Sequence, residues 1–248
     1  MRLTVLGCSA AYPGPDGACS GYLVQEGKTN LLVDCGTGVL SNLQQVIALD
    51  WVDSVVISHL HADHFFDLIP FRYALRRPIY RETHPRLYLP PGGREALRKA
   101  VAAFDRSPDF FSRHFHIEEY DPRAEIRAGK LEIQFTFVKH YIPSYAMTIS
   151  GSKKLVYSAD SGICDELAEI ASGADLFLCE AARCSRSDGE WGHMLASDAA
   201  KIARSARVKR LILTHFWPDN DYSMELERAG KTFGKGLEKA NVLQTYTV

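Results

Sequence analysis

Short apolar runs recur along the whole chain and alternate with segments whose apolar positions have helical spacing. The runs are rich in β-branched and aromatic residues and are bounded by loops, which is typical of strands. Helical spacing covers residues 38–49, 94–104 and 197–206. Strands and helices are therefore interleaved, and because no repeat, linker or low-complexity tract interrupts them, we predict a single domain over residues 1–248.

Six of the apolar runs end directly at a side chain that can bind a metal ion or carry a proton. Loops that follow strands often hold binding and catalytic groups, because the sheet fixes their geometry. We therefore expect these six side chains to meet at one edge of the fold. They are Asp34, His59, His140, Asp160, Glu180 and His215.

The composition is typical of a soluble protein with a sizeable core. Hydrophobic residues occupy 46% of the 248 positions, and no apolar run approaches the roughly 20 residues needed to span a bilayer. The six cysteines contain no C-x-x-C pair, so reduced thiols in the cytoplasm are expected rather than the disulfides of a small secreted protein. A net charge of −1 argues against binding of extended nucleic acid, which depends on neutralising phosphates.

The charge is distributed unevenly, with a basic segment between residues 72 and 99. This segment holds eight basic residues against two acidic ones, Glu82 and Glu95. Such a run is typical of a solvated helix face, and guidance of an anionic substrate is the alternative interpretation. The basic residues are Arg72, Arg76, Arg77, Arg81, Arg86, Arg94, Arg98 and Lys99.

The segment HLHADH, residues 59–64, places three of the nine histidines and one aspartate within six positions. Chance would produce this pattern in roughly one chain of this composition per thousand. In extended backbone, residues i and i+2 project to the same side, so His59 and His61 can reach one ion. Asp63 and His64 are adjacent and point in different directions, which suits a second ion beside the first.

Residues that follow other strands complete a predicted binuclear site. Two ions held close together lower the pKa of a shared water, so that hydroxide is available near neutral pH. Asp63 is accordingly predicted to be needed for catalysis as well as for metal binding. Five imidazoles and two carboxylates favour Zn²⁺, with Mn²⁺ and Fe as alternatives. The predicted ligands are His59, His61 and His140 at one ion, Asp63, His64 and His215 at the other, and Asp160 between them.

Asp34 and His193 are candidates for supporting roles. Asp34 can fix the tautomer of a liganding histidine through its far nitrogen, or it can brace the CGTG turn that follows it. His193 lies in a glycine-containing loop before a helix. There it can protonate a leaving oxygen or stabilise negative charge, with Glu180 orienting it and holding it protonated. An ordinary loop histidine is the alternative.

Two further histidine positions stay outside the predicted site. The HFH segment at residues 114–116 repeats the H-x-H spacing, but no Asp-His pair follows it, and a surface strand is expected there. His84 precedes Pro85 in a polar loop and is expected to be structural or exposed.

The chain resembles the metallo-β-lactamase-fold superfamily. The resemblance runs from RLTVLGCSA at residue 2 to LILTHF at residue 216. It implies an α+β four-layer αββα sandwich, in which two mixed β-sheets pack face to face with helices outside and a binuclear site lies at one edge. The motifs that carry it, in order, are LLVDCGTG with Asp34, HLHADH, His140, YSAD with Asp160, and His215.

Within the superfamily the chain is similar to the branch around RNase Z and related phosphodiesterases. The similarity rests on LGCSAAYPGPDGACSGYLV, on CEA with Glu180, and on GHM with His193 followed by an alanine-rich helix. It implies that His193 assists the leaving group and that Glu180 supports His193. It also implies that the protein can form a homodimer.

The chain departs from that branch at two places. RNase Z carries a transfer-RNA-binding arm between the positions that match His140 and Asp160, whereas only 19 residues intervene here, so no arm is expected. The branch also often has Ser or Thr two positions after the histidine, where this chain has Leu195. Ser197 or Asp198 is then expected to cap the following helix instead.

These observations predict a metal-dependent hydrolase with two divalent ions. The leading hypothesis is a phosphodiesterase that acts on a small phosphodiester or cyclic nucleotide through metal-bound hydroxide. Its partner would be a small phosphate-containing substrate, with neither extended nucleic acid nor a membrane. Hydrolysis of a thioester or lactam at the same site is the alternative enzymatic function, and a non-catalytic module that binds metal or nucleic acid is the alternative outside enzymes.

Overall fold

The protein folds into four layers, in which two β-sheets pack face to face and helices cover both outer faces. The structure is a computed structural model and describes residues 1–188 and 191–248. The predicted αββα sandwich of two mixed sheets is confirmed. Among the described residues, no helix combines the length and the apolar character needed to cross a bilayer.

The first sheet is antiparallel on one side and parallel on the other. The strands within residues 2–33 and 245–247 pair antiparallel with one another. The strands from residue 29 to residue 119 pair parallel, and helices or loops connect each of them to the next. The strand order is β14 (Thr245–Thr247), β1 (Arg2–Gly7), β2 (Gly21–Glu26), β3 (Thr29–Val33), β4 (Ser54–Val56), β5 (Arg86–Leu89) and β6 (His116–Glu119).

The second sheet is mixed in the same way, with parallel pairing on one side of β10 and antiparallel pairing on the other. The strand order is β13 (Leu237–Lys239), β12 (Leu211–Thr214), β11 (Leu176–Glu180), β10 (Lys154–Tyr157), β9 (Ser144–Ser150), β8 (Leu131–Val138) and β7 (Ile126–Ala128). All 19 residues between His140 and Asp160 belong to β9, β10 and their connections, so the expected absence of an arm from that segment holds.

Alternation along the strands divides the apolar side chains between three cores. Leu31 and Val33 of β3 point between the sheets, whereas Leu32 points to the outer helices, as the two-residue period of a strand requires. The first sheet is covered by α1 (Val39–Leu43), α2 (Ala62–Phe65), α3 (Leu68–Leu75) and α4 (Gly93–Val101), and the second by α5 (Asp165–Ala171), α6 (Ala196–Ser205) and α7 (Ser223–Phe233).

The helix predicted over residues 38–49 is shorter than expected. α1 ends at Leu43, and a 3₁₀ turn over Leu49–Trp51 follows after an irregular stretch. Leu49 and Val52 are both buried in the outer core and lead directly into β4. In a helix continued from α1, Leu49 and Val52 would point roughly 120° to 180° away from the direction of the buried Leu43. Tertiary packing therefore overrides the local helical spacing.

The basic segment 72–99 is mostly solvated, as the first interpretation expected, but Arg72 is buried. Its Nε donates to the carbonyl of Phe110 at 2.8 Å, and its guanidinium lies 4.4 Å from the centre of the Phe110 ring. Arg81, Arg86 and Arg98 form ion pairs with carboxylates that are not among the predicted metal ligands. These contacts assign the segment mainly to structure.

His84 and the histidines of the HFH segment lie together at the other end of the first sheet. The rings of His84 and His116 are 5.6 Å apart, and His116 begins β6. The predicted ligands instead follow the carboxyl ends of strands, so these histidines are outside the site.

Candidate metal centre

The predicted site residues converge on one edge of the sandwich. Asp34 directly follows β3, and His59 is the third residue after the end of β4. The remaining strand-end residues come from the second sheet. His61 has extended backbone (φ −76°, ψ 145°) directly before α2. This extended stretch aims His59 and His61 at one place, and the single helical turn of α2 then turns Asp63 and His64 to another.

The ligand atoms fall into two groups, in each of which they lie within 4.8 Å of one another. The grouping is the one predicted from the sequence, and Asp160 belongs to both groups. One group contains His59, His61, His140 and Asp160, and the other contains Asp63, His64, Asp160 and His215.

Asp160 is surrounded by imidazole nitrogens from both groups. Its Oδ2 lies 3.5 Å from Nε2 of His59 and 3.1 Å from Nε2 of His215. Its Oδ1 lies 3.3 Å from Nε2 of His64. The carboxylate is 2% exposed, so its charge interacts with these rings through the protein interior rather than through water.

Three buried atoms of this cluster have no hydrogen-bond partner among the described residues: Nε2 of His59, Nε2 of His64 and Oδ1 of Asp160. Buried polar atoms almost always have a partner, because leaving one without any costs free energy. A cation between the rings and the carboxylate would satisfy all three. The donor set of imidazole nitrogens and carboxylate oxygens also fits Zn²⁺ and similar divalent ions.

Several histidine rings have a nitrogen that faces away from the centre, and neighbouring polar groups contact that nitrogen. Nδ1 of His64 lies 2.8 Å from Asp34, Nδ1 of His215 lies 2.9 Å from the Ser20 hydroxyl, and Nδ1 of His140 lies 2.8 Å from the carbonyl of Gly192. Such contacts fix the ring orientation and leave Nε2 free to face the centre. Nδ1 of His59 has the Ser58 hydroxyl at 3.0 Å.

Asp34 makes several of the contacts in this outer layer. It contacts a candidate ligand histidine, as the first of its two predicted roles requires. Its carboxylate accepts from the Ser58 backbone and hydroxyl, at 2.7 and 2.8 Å, and from the Tyr157 hydroxyl at 2.9 Å, besides its contact with His64. The sequence gives no signal for Ser20, Ser58 or Tyr157, because a hydroxyl is not a typical metal ligand. Ser20 and Tyr157 also lie far in sequence from their partners, His215 and Asp34.

Asp34→Asn is expected to weaken metal binding by about 10- to 100-fold, the range typical for loss of an outer partner of a liganding histidine. The amide keeps the size of the side chain but loses the charge that supports His64. A chelator competition assay measures the change. Asp53→Asn is the matched control, because Asp53 binds a backbone N–H at the other end of the first sheet; equal losses in both variants would contradict the role given to Asp34.

Several residues of the centre adopt the left-handed backbone conformation that non-glycine residues rarely occupy. Asp34 has φ 56° and His215 has φ 62°, while Ala159 beside Asp160 has φ 50°. Ala11 has φ 52° and donates its backbone N–H to Asp63 at 2.9 Å. Backbone strain of this kind persists where the surrounding structure enforces it, and it often accompanies functional sites.

Burial and charge shift the pKa values of the cluster in opposite directions. Burial lowers the pKa of His59, His61 and His140. Burial acts in the same direction on His64, but the nearby carboxylates, Asp160 first, outweigh it and raise the pKa of that imidazole. The pKa of Asp160 is held well below its usual range, because the surrounding imidazoles outweigh the effect of its burial.

The metal-free protein is expected to lose stability as the pH falls from about 6.5 to about 5. The unfolded chain protonates His59, His61 and His140 in this range, whereas the folded protein resists their protonation because their pKa values are lowered. The contribution of His64 has the opposite sign, but it is already fully present below the unfolded pKa and does not change there. Denaturant midpoints of chelator-treated protein measure the effect, and a midpoint that stays constant or rises on acidification would contradict it.

His193 lies beside both halves of the cluster without belonging to either. Its Nδ1 is 2.8 Å from Oε1 of Glu180, and its ring centre is 4.9 Å from that of His140 and 5.7 Å from that of His215. The side chain is 11% exposed, while Glu180 is fully buried. Glu180 is itself fixed by backbone N–H groups of Ser161 and Ala182, at 3.0 and 2.9 Å.

The expected capping of α6 by Ser197 or Asp198 is wrong. Leu195 occupies the N-cap position, and no side chain there caps the helix. The carboxylate of Glu225 on α7 accepts from the backbone N–H of Ser197 at 3.3 Å and from its hydroxyl at 2.7 Å. A side chain from another helix therefore performs the capping, which local sequence does not reveal.

Comparison with known proteins places these observations in a family. The model of the family described as the beta-lactamase superfamily domain matches residues 29–216. A probable metallo-hydrolase of Bacillus subtilis strain 168, YhfI, is 34% identical over 240 residues, which cover 95% of each chain. The crystal structure of YhfI has a TM-score of 0.87 at 30% identity and covers 99% of each chain.

More distant solved structures share the fold. The short form of human tRNase Z has a TM-score of 0.77 at 22% identity and covers 100% of this chain and 99% of its own. A diphosphatase of the PhnP family has a TM-score of 0.79 at 18% identity and covers 100% of this chain and 97% of its own. At these identities the likeness establishes the architecture alone.

Proposed function

Since the chain belongs to the beta-lactamase superfamily domain family, we propose that it is a metal-dependent phosphodiesterase for a small phosphodiester or cyclic nucleotide. Family membership and the likeness to a probable metallo-hydrolase make it a hydrolase of the metallo-β-lactamase fold. The names of its structural relatives, a tRNase Z and a diphosphatase, support phosphoryl chemistry in particular. The choice of a small substrate rests on the missing arm and on the nearly neutral charge.

The observation that carries the proposal is the position of His193. It is a histidine outside the two ligand groups, held by a buried carboxylate and close to both His140 and His215. Because Nδ1 faces Glu180, Nε2 is the nitrogen that can deliver a proton toward the centre. A group held in this way can act as the general acid for a leaving oxygen.

The protein supplies ligands for two divalent ions in this scheme. The two ligand groups would each hold one ion, with Asp160 shared between them. When bound, two such ions lower the pKa of a water toward neutrality and offset charge on the phosphate during displacement. Asp63, held by the backbone N–H of Ala11 at 2.9 Å, contributes a further carboxylate oxygen at this place.

Side chains of the protein then carry out the proton transfer to the leaving group. In the proposed step the attacking water would give one proton to solvent as its oxygen bonds to phosphorus, and the bond from phosphorus to the leaving oxygen would break; His193 would regain a proton from solvent after each turnover. His193 gives its Nε2 proton to that oxygen, and the negative charge of Glu180 stabilises the protonated imidazole before transfer.

A general acid at this position favours a diester over a thioester. An alcohol is a poor leaving group unless it receives a proton, whereas a thiol has a pKa of about 8.5 and can leave as the thiolate. His193 would thus contribute little to thioester hydrolysis and much to departure of an alkoxide.

Turnover by the metal-loaded protein tests the proposal. We expect hydrolysis of bis(p-nitrophenyl) phosphate and of cyclic nucleotides, and we expect a chelator to abolish it. A thioester, a lactam and transfer-RNA precursor are the comparison substrates. If any of these three is turned over faster than the phosphodiesters, the proposal is contradicted. Metal retention without hydrolysis of any substrate would indicate a binding role instead.

A further inference from the structure

Two aromatic side chains lie exposed beside the candidate metal centre. The ring centres of Tyr141 and Trp191 are 5.4 Å apart. Tyr141 is 47% exposed and Trp191 is 51% exposed, so both residues are accessible to a ligand from solvent. Burial would remove these apolar surfaces from water, which makes them a favourable place for a flat apolar ligand.

The pair is fixed to the centre through the loop that carries His193. The ring centre of Tyr141 is 5.1 Å from that of His140 and 6.0 Å from that of His193. Trp191 precedes Gly192, whose carbonyl lies 2.8 Å from Nδ1 of His140. The same loop therefore positions both the aromatic surface and His193.

Two glycines allow this close fit. A Cβ atom at Gly192 would lie 2.6 Å from the Tyr141 ring, and a Cβ atom at Gly162 would lie 1.9 Å from the carbonyl oxygen of Trp191. At Gly162 the close neighbour is backbone, so only glycine fits, and at Gly192 a Cβ atom would displace the Tyr141 ring. The backbone at these two glycines therefore packs closely against the aromatic pair.

We propose that Tyr141 and Trp191 form a stacking surface for the base of a nucleotide whose phosphate is held at the metal centre. The inference rests on the proposed function and narrows its substrate class to nucleotides. Exposed aromatic rings bind bases of any identity, because every base has a π-face. The Lys139 ammonium lies 5.1 Å from the centre of the Trp191 ring and adds a positive charge that suits an anionic ligand.

The orientation of the substrate follows from the position of the acid. The ester oxygen that receives the proton lies next to His193, so the sugar that bears this oxygen lies on the same side of the phosphorus. Tyr141 is in contact distance of the His193 ring. A base attached to that sugar would then extend over Tyr141 and Trp191.

AMP and ribose 5-phosphate are a matched pair of probes, because they share the phosphate, the ester oxygen and the sugar and differ only in the base. Both are tested as inhibitors of the metal-loaded protein with bis(p-nitrophenyl) phosphate as substrate. We expect Tyr141→Ala and Trp191→Ala each to raise the inhibition constant of AMP by about 10-fold, within the range for loss of one stacking side chain. The inhibition constant of ribose 5-phosphate should not change.

A fluorescence titration gives a second readout that does not depend on turnover. The chain has three tryptophans, so the variant Trp51→Phe/Trp217→Phe leaves Trp191 as the only reporter. AMP is expected to quench its emission, and ribose 5-phosphate is not. Trp51→Ala is the control for loss of an exposed tryptophan, since Trp51 is 57% exposed and precedes β4 at the far end of the sheet from the centre.

The outcomes separate this inference from the proposed function. If both variants weaken AMP and ribose 5-phosphate equally, the aromatic pair supports the loop and does not bind a base. If neither variant changes AMP inhibition while the wild type hydrolyses phosphodiesters, the stacking surface is refuted and the phosphodiesterase stands. Quenching of Trp191 by AMP in a protein that hydrolyses no phosphodiester would refute the proposed function and leave a nucleotide-binding surface.

Discussion

Replacement of Asp160 by alanine is expected to release both metal ions and to reduce hydrolysis below detection. Among the residues that the structure describes, Asp160 is the one side chain that belongs to both ligand groups. Without its charge, the five imidazoles and Asp63 would have to hold two dications in a buried space. Metal affinity should therefore fall by more than the roughly 10- to 100-fold that follows loss of an outer partner.

Metal content per chain and turnover of bis(p-nitrophenyl) phosphate measure this effect together. Asp160→Asn keeps the size of the side chain and separates loss of charge from loss of packing. Asp50→Ala is the control for removal of a buried carboxylate, since Asp50 is 8% exposed and pairs with Arg81 away from the centre. An Asp160→Ala protein that retains two ions per chain would contradict the bridging role.

Replacement of His193 by alanine should lower kcat by about 10²- to 10⁴-fold on an unactivated phosphodiester, which is the contribution typical of a general acid. Metal content should not change, because His193 belongs to neither ligand group. The measurement pairs metal analysis with steady-state kinetics on a cyclic nucleotide.

The leaving group distinguishes acid catalysis from a structural role. A p-nitrophenolate leaves without a proton, so His193→Ala should be far less impaired on bis(p-nitrophenyl) phosphate than on a cyclic nucleotide. Glu180→Gln should show the same dependence on the leaving group, since the amide cannot stabilise a protonated His193. Equal losses on both substrates would assign His193 to positioning, and no loss on the cyclic nucleotide would remove it from the reaction.

The convergence of the candidate ligands could be predicted, because these residues carry their signal in the sequence itself. His59, His61, Asp63 and His64 are close enough in the chain that local backbone geometry decides which of them share a group. His140, Asp160 and His215 each follow an apolar run, and parallel strands bring their carboxyl ends to one edge. The grouping found in the structure matches the predicted one.

The supporting contacts could not be predicted, because they join residues that only the fold brings together. Ser20 supports His215 from 195 positions away, and Glu225 caps α6 from α7. The left-handed conformations of Asp34 and His215 also have no signal in residue type, since both occur at positions where the sequence suggests ordinary strand ends. Tyr141 and Trp191 are 50 positions apart and read as separate loop residues until the fold joins them.

Titration of the metal-free protein with Zn²⁺, with turnover of bis(p-nitrophenyl) phosphate followed at each addition, decides whether the protein is a hydrolase that works with two metal ions. We expect binding of two ions per chain, with hydrolysis that appears as they bind and that Asp160→Ala removes. Hydrolysis by the metal-free protein, or saturation of Zn²⁺ binding and hydrolysis at a single ion per chain, would contradict it.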